Sequence, residues 1–477
     1  MKHGFIKVAA ASPVIKVADT SYNAERTIEV IEKAEKLGVK VLSFPELSLT
    51  GASCYDIIAH RVIIDGAKEA LLKVKAATRG KDMLVIVGLP YAVGSRLFSV
   101  AAVLYDGHVL GLVPREQVDG TLFRSAADGD VCTELDGECV LVCAETLFES
   151  SVIPGLKVAV ELGADMDAVV PPSFDHAAAG ATLLVQMASF PETVTSAADA
   201  ELNIRYQSKR LAAGILMAAP GKGESSTDNV FSGLCIVAEN GVILAEQEQE
   251  DSLAVSEVDI DFLINQRRAR GGFDISDEGY AVEYFGREPE ETVLTRTYYK
   301  YPHLPEKAED MPAYCERMLD IQVSGLIKRM QYAHLDHCVV GISGGVDSTL
   351  AVMVSAMAVK KMGLPSTNVV ACTLPCFGTS SRTKSNAIVV AEQWGCEVRV
   401  IDIGKSVYQH FDDIGHAHDD YSIAFENAQA RERTQVLMDI ANKVNGLDVG
   451  TEDLSEFVDG WCTTTATTPV CTTSTWV

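Results

Sequence analysis

Residues 337–350 read HCVVGISGGVDSTL, and this stretch decides how the second half of the chain folds. An apolar run of strand character ends near Gly341, two glycines follow at Gly344 and Gly345, and apolar residues then recur at helical spacing. Glycine lets the backbone approach a ligand closely, and N–H groups gathered at a helix start favour an anion. Ser343, Ser348 and Thr349 add hydroxyl donors, and Asp347 supplies a carboxylate able to hold a magnesium ion that bridges phosphates. The loop lacks the lysine of GxxxxGK[ST], which points to the pyrophosphate released when ATP is split between its α and β phosphates.

On either side of the loop the periodicity predicts helices over 312–332, 349–362 and 382–394 and strands over 337–342, 368–374 and 397–403. Apolar strands alternating with long helices predict a doubly wound parallel sheet. The first half is also α/β but mixed. A strand over 6–11, a helix over 23–37 closed by Gly38, and the buried strand VKVLSFPEL form one β–α–β unit. Further strands follow at 84–90, 100–107, 156–165 and 166–172, and hairpins turn on Asp106-Gly107 and Asn240-Gly241. The predicted organisation is a layered domain over 1–265, a linker over 266–311 rich in charge, Gly and Pro, a nucleotide-binding domain over 312–462, and a threonine-rich tail over 463–477.

The 477 residues include 47% hydrophobic and 22% charged, which suits more than one buried core and excludes a disordered chain. A formal charge of −26 argues against a broad grip on nucleic acid or an anionic membrane, so phosphate must be caught locally. The opening MKHGFIKVAAASPVI is broken by Pro13 and followed by Lys16, which favours a strand over a signal peptide. Twelve cysteines without CxxC pairs read as reduced thiols, and with no apolar run of membrane-spanning length the expected location is cytoplasmic.

Around the SGGVDS loop, TLPCFGTSSRTKSNA (373–387), IDIG (401–404), FENAQARERT (425–434) and VGTEDLSE (449–456) together resemble the NAD synthetase domain. VAAASP, FPELSLTG (44–51), LGLVP (110–114), PPSF, GKGESSTDNVFSG (221–233) and AENG are similar to the attached glutaminase of the glutamine-dependent form. The resemblance implies an N-terminal nitrilase-like α/β/β/α sandwich and a C-terminal adenine nucleotide α-hydrolase-like sheet. It also implies a two-step ligation: ATP adenylates deamido-NAD+, then ammonia, nominally from glutamine, displaces AMP to give NAD+. By the same resemblance Ser343, Gly344, Gly345, Asp347, Ser348 and Thr451 bind ATP, Asp347 and Glu456 hold Mg2+, and Arg382, Lys384, Asn427 and Arg431 surround the dinucleotide. A homo-oligomer assembled through the nitrilase-like domain is implied as well.

The glutaminases of this family use a Glu–Lys–Cys triad, and the sequence departs from it. Glu46 matches the base, Arg115 stands at the lysine position, and Gly163 of VAVELGAD stands at the nucleophile position. Cys143, well upstream of PPSF, reads as a buried packing residue. The expectation is a glutaminase half without hydrolysis, with ammonia as nitrogen donor. The chain also ends before a strand and a lysine-bearing loop usual in the family, and Glu452 replaces a small residue, so a non-catalytic ATP-binding or assembly protein is the rival reading. HFDDIGHAHDD (410–420) reads as a solvated loop ahead of a metal site, Met353, Met357 and Met362 as packing residues, and Arg267, Arg268 and Arg270 as a salt-bridged domain junction.

Overall fold

A computed structural model describes residues 4–118, 122–126, 130–273, 275–287, 291–377, 381–458 and 472–473, and of residues 381–385, 454, 457 and 472–473 the backbone alone. The chain divides into two compact units, Met1–Tyr298 and Tyr299–Val477. Among the described residues no helix is long and apolar enough to cross a membrane.

The first unit stacks two sheets between helices. One sheet runs in the order Ser252–Asp259, Phe5–Ser12, Val41–Ser43, Leu84–Val93, Arg96–Tyr105, His108–Pro114, Glu138–Val142, Val131–Leu135. The other runs Val242–Glu248, Leu234–Glu239, Gly214–Ala218, Leu183–Met187, Lys157–Leu162, Thr146–Ser150, Ala281–Phe285. Strand alternation distributes side chains between layers. Ile6, Val8 and Ala10 enter the core shared with Val158, Val160 and Val185 of the facing sheet, while Ala9 and Ala11 join Ala24, Ile31 and Leu71 of the helices Thr20–Lys36 and Arg61–Ala77. On the far side Ala159 and Leu184 meet Ile204 and Leu211 of the helix Ser196–Leu211. The result is the α/β/β/α sandwich.

Local signals set the ends. The first helix begins at Thr20, three positions before its apolar spacing starts, because the Asp19 carboxylate accepts a hydrogen bond from the Tyr22 N–H at 3.1 Å. Asn240 and Gly241 both have positive φ, +46° and +89°, the backbone that a two-residue hairpin needs. Asp136-Gly137 turns a further hairpin, Val131–Leu135 with Glu138–Val142, which the sequence reading passes over although it carries the same dipeptide type as Asp106-Gly107. This hairpin also corrects the expectation that every cysteine is a free thiol. Cys132 and Cys139, on facing strands with Cα atoms 6.2 Å apart, form a disulfide.

The stretch 266–311 is more structured than a linker. The helix Ile260–Arg270 runs into it, and Ala281–Phe285 pairs in parallel with Thr146–Ser150. Arg267 is buried and donates to the carbonyls of Ala212 (3.1 Å) and Ala181 (2.5 Å), while Arg270 binds Lys209 O and Asn240 Oδ1. Arg267 and Arg270 therefore fasten the helix mainly to backbone carbonyls, and among the described residues neither forms the expected salt bridge. Arg296 forks onto Glu239 at 3.0 Å, holding the segment that follows.

The second unit is a parallel sheet in the order Glu397–Val400, Val369–Thr373, His337–Gly341, Gly446–Gly450, with the short strand Thr472–Thr473 beyond. Cys338, Val340 and Ala371 face Val323, Leu326 and Ala351 of the helices Met311–Ala333 and Val346–Lys361. Val339, Val370 and Cys372 face Phe411, Phe425 and Ala441 of the helices Gly404–Ile414 and Ile423–Val444. Both faces are covered, as the doubly wound reading expects. Strand order by sequence is third, second, first, fourth, so the chain reverses direction across the sheet beside His337–Gly341.

Gly88 sits where the strand Leu84–Val93 passes the turn at residues 44–51. A Cβ there would overlap the Leu47 N–H nitrogen and lie 2.6 Å from Pro45 O. Gly88→Ala should destabilise the first unit by about 1–3 kcal/mol, read from its denaturant midpoint.

Candidate active site

Glu46 lies on the turn after Val41–Ser43. Its N–H donates to Ala188 O at 3.3 Å, so the turn reaches from one sheet to the C-terminal end of a strand in the other. Leu47 takes positive φ, +55°, and its carbonyl accepts from the N–H groups of Thr50 and Gly51. The Glu46 side chain is 1% exposed. Its Oε1 accepts from Ser99 Oγ at 2.6 Å and from Arg115 Nη1 at 3.2 Å, while Oε2 has no hydrogen-bond partner. Arg115 follows the strand His108–Pro114, and its Nε is likewise buried without a partner.

Gly163 directly follows the strand Lys157–Leu162 with φ +52°. A Cβ at this position would overlap Glu46 Oε2 and lie 2.9 Å from Ser189 Oγ. The structure thus brings Glu46, Arg115 and Gly163, more than a hundred residues apart at the extremes, to one point. What it brings there is a carboxylate, a guanidinium and a hydrogen atom. Cys143 is buried elsewhere: it continues the strand Glu138–Val142 by donating its N–H to Leu112 O, and burial pushes its thiol up to about 11.

Two supporting groups escaped the sequence reading. Asp165 accepts from the N–H groups of Leu162 (3.2 Å), Glu116 (3.1 Å) and Gln117 (2.6 Å), tying the turn after Gly163 to the segment after Arg115. Glu224 accepts from the N–H groups of Ala52 (2.8 Å) and Ser53 (3.0 Å), holding the GKGE loop against the 3-10 turn Ala52–Ala59. A short acidic side chain next to a turn is common enough in sequence that neither stands out before its partners are known. Together these elements enclose a cavity of about 520 Å³ lined by Glu46, Arg115, Tyr55, Asp56, Ser189 and Phe231 among others. Carboxylates crowd behind Glu46: burial, with the charge of Glu46, raises Asp165 to about 6, and burial with the charge of Asp165 raises Glu116 to about 7.

In the second unit the loop after His337–Gly341 turns on its glycines and is tied by its serine hydroxyls. Gly344 has φ +81°, Gly345 caps the helix Val346–Lys361, and the Ser343 and Ser348 hydroxyls lie 3.2 Å apart. Ser343 N–H donates to Ser348 Oγ at 3.3 Å and Gly345 N–H to Ser343 Oγ at 3.2 Å. Asp347 is exposed in the first turn of that helix. Thr451 follows Gly446–Gly450, the strand paired with His337–Gly341, so both loops open at the same edge at the switch point. Glu456 and Asp453 exchange hydrogen bonds, Asp453 N–H to Glu456 Oε2 at 3.1 Å and Glu456 N–H to Asp453 Oδ1 at 2.7 Å, a capping box that opens the helix Leu454–Val458.

Residues 318–466 match the NAD synthase family model and residues 7–116 the carbon-nitrogen hydrolase model. The chain is 34% identical over 487 residues to the glutamine-dependent NAD(+) synthetase of Mycobacterium tuberculosis, covering 97% of this chain and 71% of that protein. It is 33% identical over 483 residues to the enzyme of the same name from Mycobacterium leprae, covering 96% and 71%. This chain belongs to the glutamine-dependent NAD(+) synthetase family. The match places a nitrilase-like unit before a NAD synthase unit, the order that the motifs imply.

In the second unit Asn427 and Arg431 fall on the helix Ile423–Val444, and Arg431 lines a shallow groove with Thr434, Gln435 and Met438. Arg433, two positions on and not singled out from the sequence, turns the other way and donates to Leu374 O at 3.2 Å, at the C-terminal end of Val369–Thr373. Arg382 and Lys384 lie at the start of the helix Ser381–Gln393, with side chains outside the described residues. No cluster of potential metal ligands occurs among the described residues. In the 410–420 segment His418 stacks on Tyr408 with ring centroids 4.4 Å apart, and His416 packs on Phe411. His418 Nε2 also lies 2.8 Å from Asp412 Oδ1.

Glu116 gives a pH test. Burial and neighbouring carboxylates push its pKa up to about 7 from the ordinary 4.5, so the fold favours the protonated form. Neither state pays for the charge at low pH; as pH rises from 4.5 through 7 the folded state must ionise against its neighbours and stability falls. Glu116→Gln should therefore match the parent at pH 5 and exceed it at pH 8, measured by denaturant midpoints at the two values.

Proposed function

We infer that this chain is an ATP-dependent NAD+ synthetase that takes ammonia, and not glutamine, as its nitrogen donor. The observation that carries the reading is Gly163 at the meeting point of Glu46 and Arg115, where a thiol would have to stand to attack an amide. Glu46 lacks a proton donor to activate, and Arg115 is committed to its Oε1.

In the second unit the reading assigns the pyrophosphate of ATP to Ser343, Gly344, Gly345 and Ser348, with Thr451 from the adjoining loop. The fit rests on the positive φ of Gly344, which turns the backbone under the loop, and on two hydroxyls poised at the start of a sixteen-residue helix. Asp347, exposed at that helix start, is the group to hold Mg2+, with Glu456 as its companion. Held by Asp347 and Glu456, Mg2+ would supply positive charge against the phosphates. The nicotinate carboxylate of deamido-NAD+ attacks the α-phosphorus, pyrophosphate leaves, and ammonia then displaces AMP at the acyl carbon. Arg382, Lys384, Asn427 and Arg431 are assigned to the dinucleotide, and Arg433, nearer the C-terminal strand edge, joins them. Local cations are needed because the chain as a whole carries −26.

The test is AMP release and NAD+ formation from ATP, Mg2+ and deamido-NAD+, with ammonium or glutamine as nitrogen source. The expected result is product with ammonium, no product with glutamine, and loss of product in Asp347→Ala. Turnover of glutamine would overturn the reading of Gly163, and failure with both sources alongside retained ATP binding would favour a non-catalytic ATP-binding protein.

A further inference from the structure

The disulfide Cys132–Cys139 lies outside both sites, on the surface of the first unit. Six of the eight free cysteines among the described residues are buried, where burial raises the thiol and keeps reagents out. Cys132 and Cys139 are both exposed. In the register of the hairpin Cys132 stands opposite Leu141 and Cys139 opposite Glu134, so the two sulfurs lie diagonally on the face turned away from the core. The other face is apolar: Leu135, Val140 and Val142 join Leu71 and Val74 of the helix Arg61–Ala77 in one core. The hairpin also has its own turn, Asp136-Gly137 at φ +54° and +80°, and a ladder of five residue pairs. It supplies the carboxylates that meet Lys75, a buried lysine of the same helix: Asp136 Oδ2 at 2.9 Å and Glu138 Oε2 at 3.6 Å. The bond spans only seven positions of chain, so its removal frees little chain entropy. Everything else that shapes the hairpin persists without it. The Cα separation of 6.2 Å is one that a disulfide bridges without strain on the backbone, and the ladder preserves it once the bond opens. Two redox states can therefore share one fold.

We propose that Cys132–Cys139 is a reversible thiol–disulfide exchange site, opened by a dithiol and closed by a small disulfide, and that its state sets how often the hairpin 131–142 opens. In the reducing direction a thiolate of the dithiol attacks one sulfur, the S–S bond breaks, and the other cysteine leaves as a thiolate that takes up a proton. The second thiol of the reagent then displaces the first protein sulfur. Two electrons and two protons have passed to the protein, which ends with two thiols, while the reagent ends as a disulfide. A small disulfide runs the same exchange backwards and ends as two thiols. Glu134, opposite Cys139, places a negative charge beside the bond, which favours a neutral or cationic reagent over an anionic one such as glutathione. Each opening of the hairpin takes Asp136 and Glu138 from Lys75 and uncovers Leu135, Val140 and Val142 at the last strands of the sheet. The link thus guards that edge, whichever nitrogen donor the chain uses.

The experiment equilibrates the full chain with cystamine, a cationic disulfide, and then exposes it to dithiothreitol without denaturant. Thiols are blocked with N-ethylmaleimide and located by mass spectrometry, and amide hydrogen exchange is followed in both states. After cystamine, Cys132 and Cys139 should be linked to each other and unlabelled. After dithiothreitol both should carry label while the buried cysteines do not, and a second cystamine step should restore the link. Amides of 132–142 should exchange about tenfold faster in the reduced chain, with those of 84–93 unchanged. The double variant Cys132→Ser, Cys139→Ser should exchange like the reduced chain and ignore dithiothreitol. Should that variant fail to fold, the two states of the unaltered chain still decide the matter. Label at both cysteines after cystamine, a link that dithiothreitol opens only in denaturant, or equal exchange of 132–142 in the two states would each overturn the proposal.

Discussion

The ion pair between Glu46 and Arg115 is the constraint on which the first unit's site depends. A carboxylate 1% exposed between two sheets must have a permanent partner, and Arg115 Nη1 at 3.2 Å with Ser99 Oγ at 2.6 Å supplies it. Around that pair the chain takes positive φ at Leu47, approaches Gly88 closely, and anchors the segment after Arg115 through Asp165. Each device keeps one of the two charges in position. Loss of either charge leaves the other buried and unpaired, which typically costs 3–5 kcal/mol.

Both units gather their chemistry at the same kind of place. Glu46 follows Val41–Ser43, Gly163 follows Lys157–Leu162, and Ser189 lies just past Leu183–Met187, all at C-terminal ends of strands with parallel neighbours. In the second unit the SGGVDS loop and Thr451 follow the paired strands His337–Gly341 and Gly446–Gly450. Strand carboxyl ends open into loops that the next helix start must cap, so backbone N–H groups and strained turns accumulate there. The two sites differ in what fills this position: a buried carboxylate in one, a glycine-rich cradle in the other.

The layers were legible because strand alternation and helix spacing are local, as at Phe5–Ser12 and Thr20–Lys36. The meeting of Glu46, Arg115 and Gly163 was legible only through the family motifs that carry them, since no local pattern links residues so far apart in sequence. Asp165 and Glu224 were not legible, because their meaning lies in backbone N–H groups contributed by distant loops. The arginines at 267 and 270 show the opposite failure. Their charge suggested carboxylate partners, yet Arg267 is held by two carbonyls, and burial lowers it to about 10. Hairpin 131–142 was missed despite Asp136-Gly137, because its two strands are only five residues each and end the sheet.

Arginine at 115 and glycine at 163 form one physical argument. A lysine serving an amidase must be free to move between the base and the developing oxyanion, and its compact ammonium can do so. A guanidinium that pairs with Glu46 is permanently charged and geometrically fixed, which suits an ion pair that only has to persist. With hydrogen in place of a side chain at 163, Glu46 Oε2 occupies the volume that a nucleophile would need, so restoring a thiol would require the buried carboxylate to move away from its present site. On the proposed reading the two substitutions therefore support each other. The glycine makes room for the carboxylate, and the arginine holds it there.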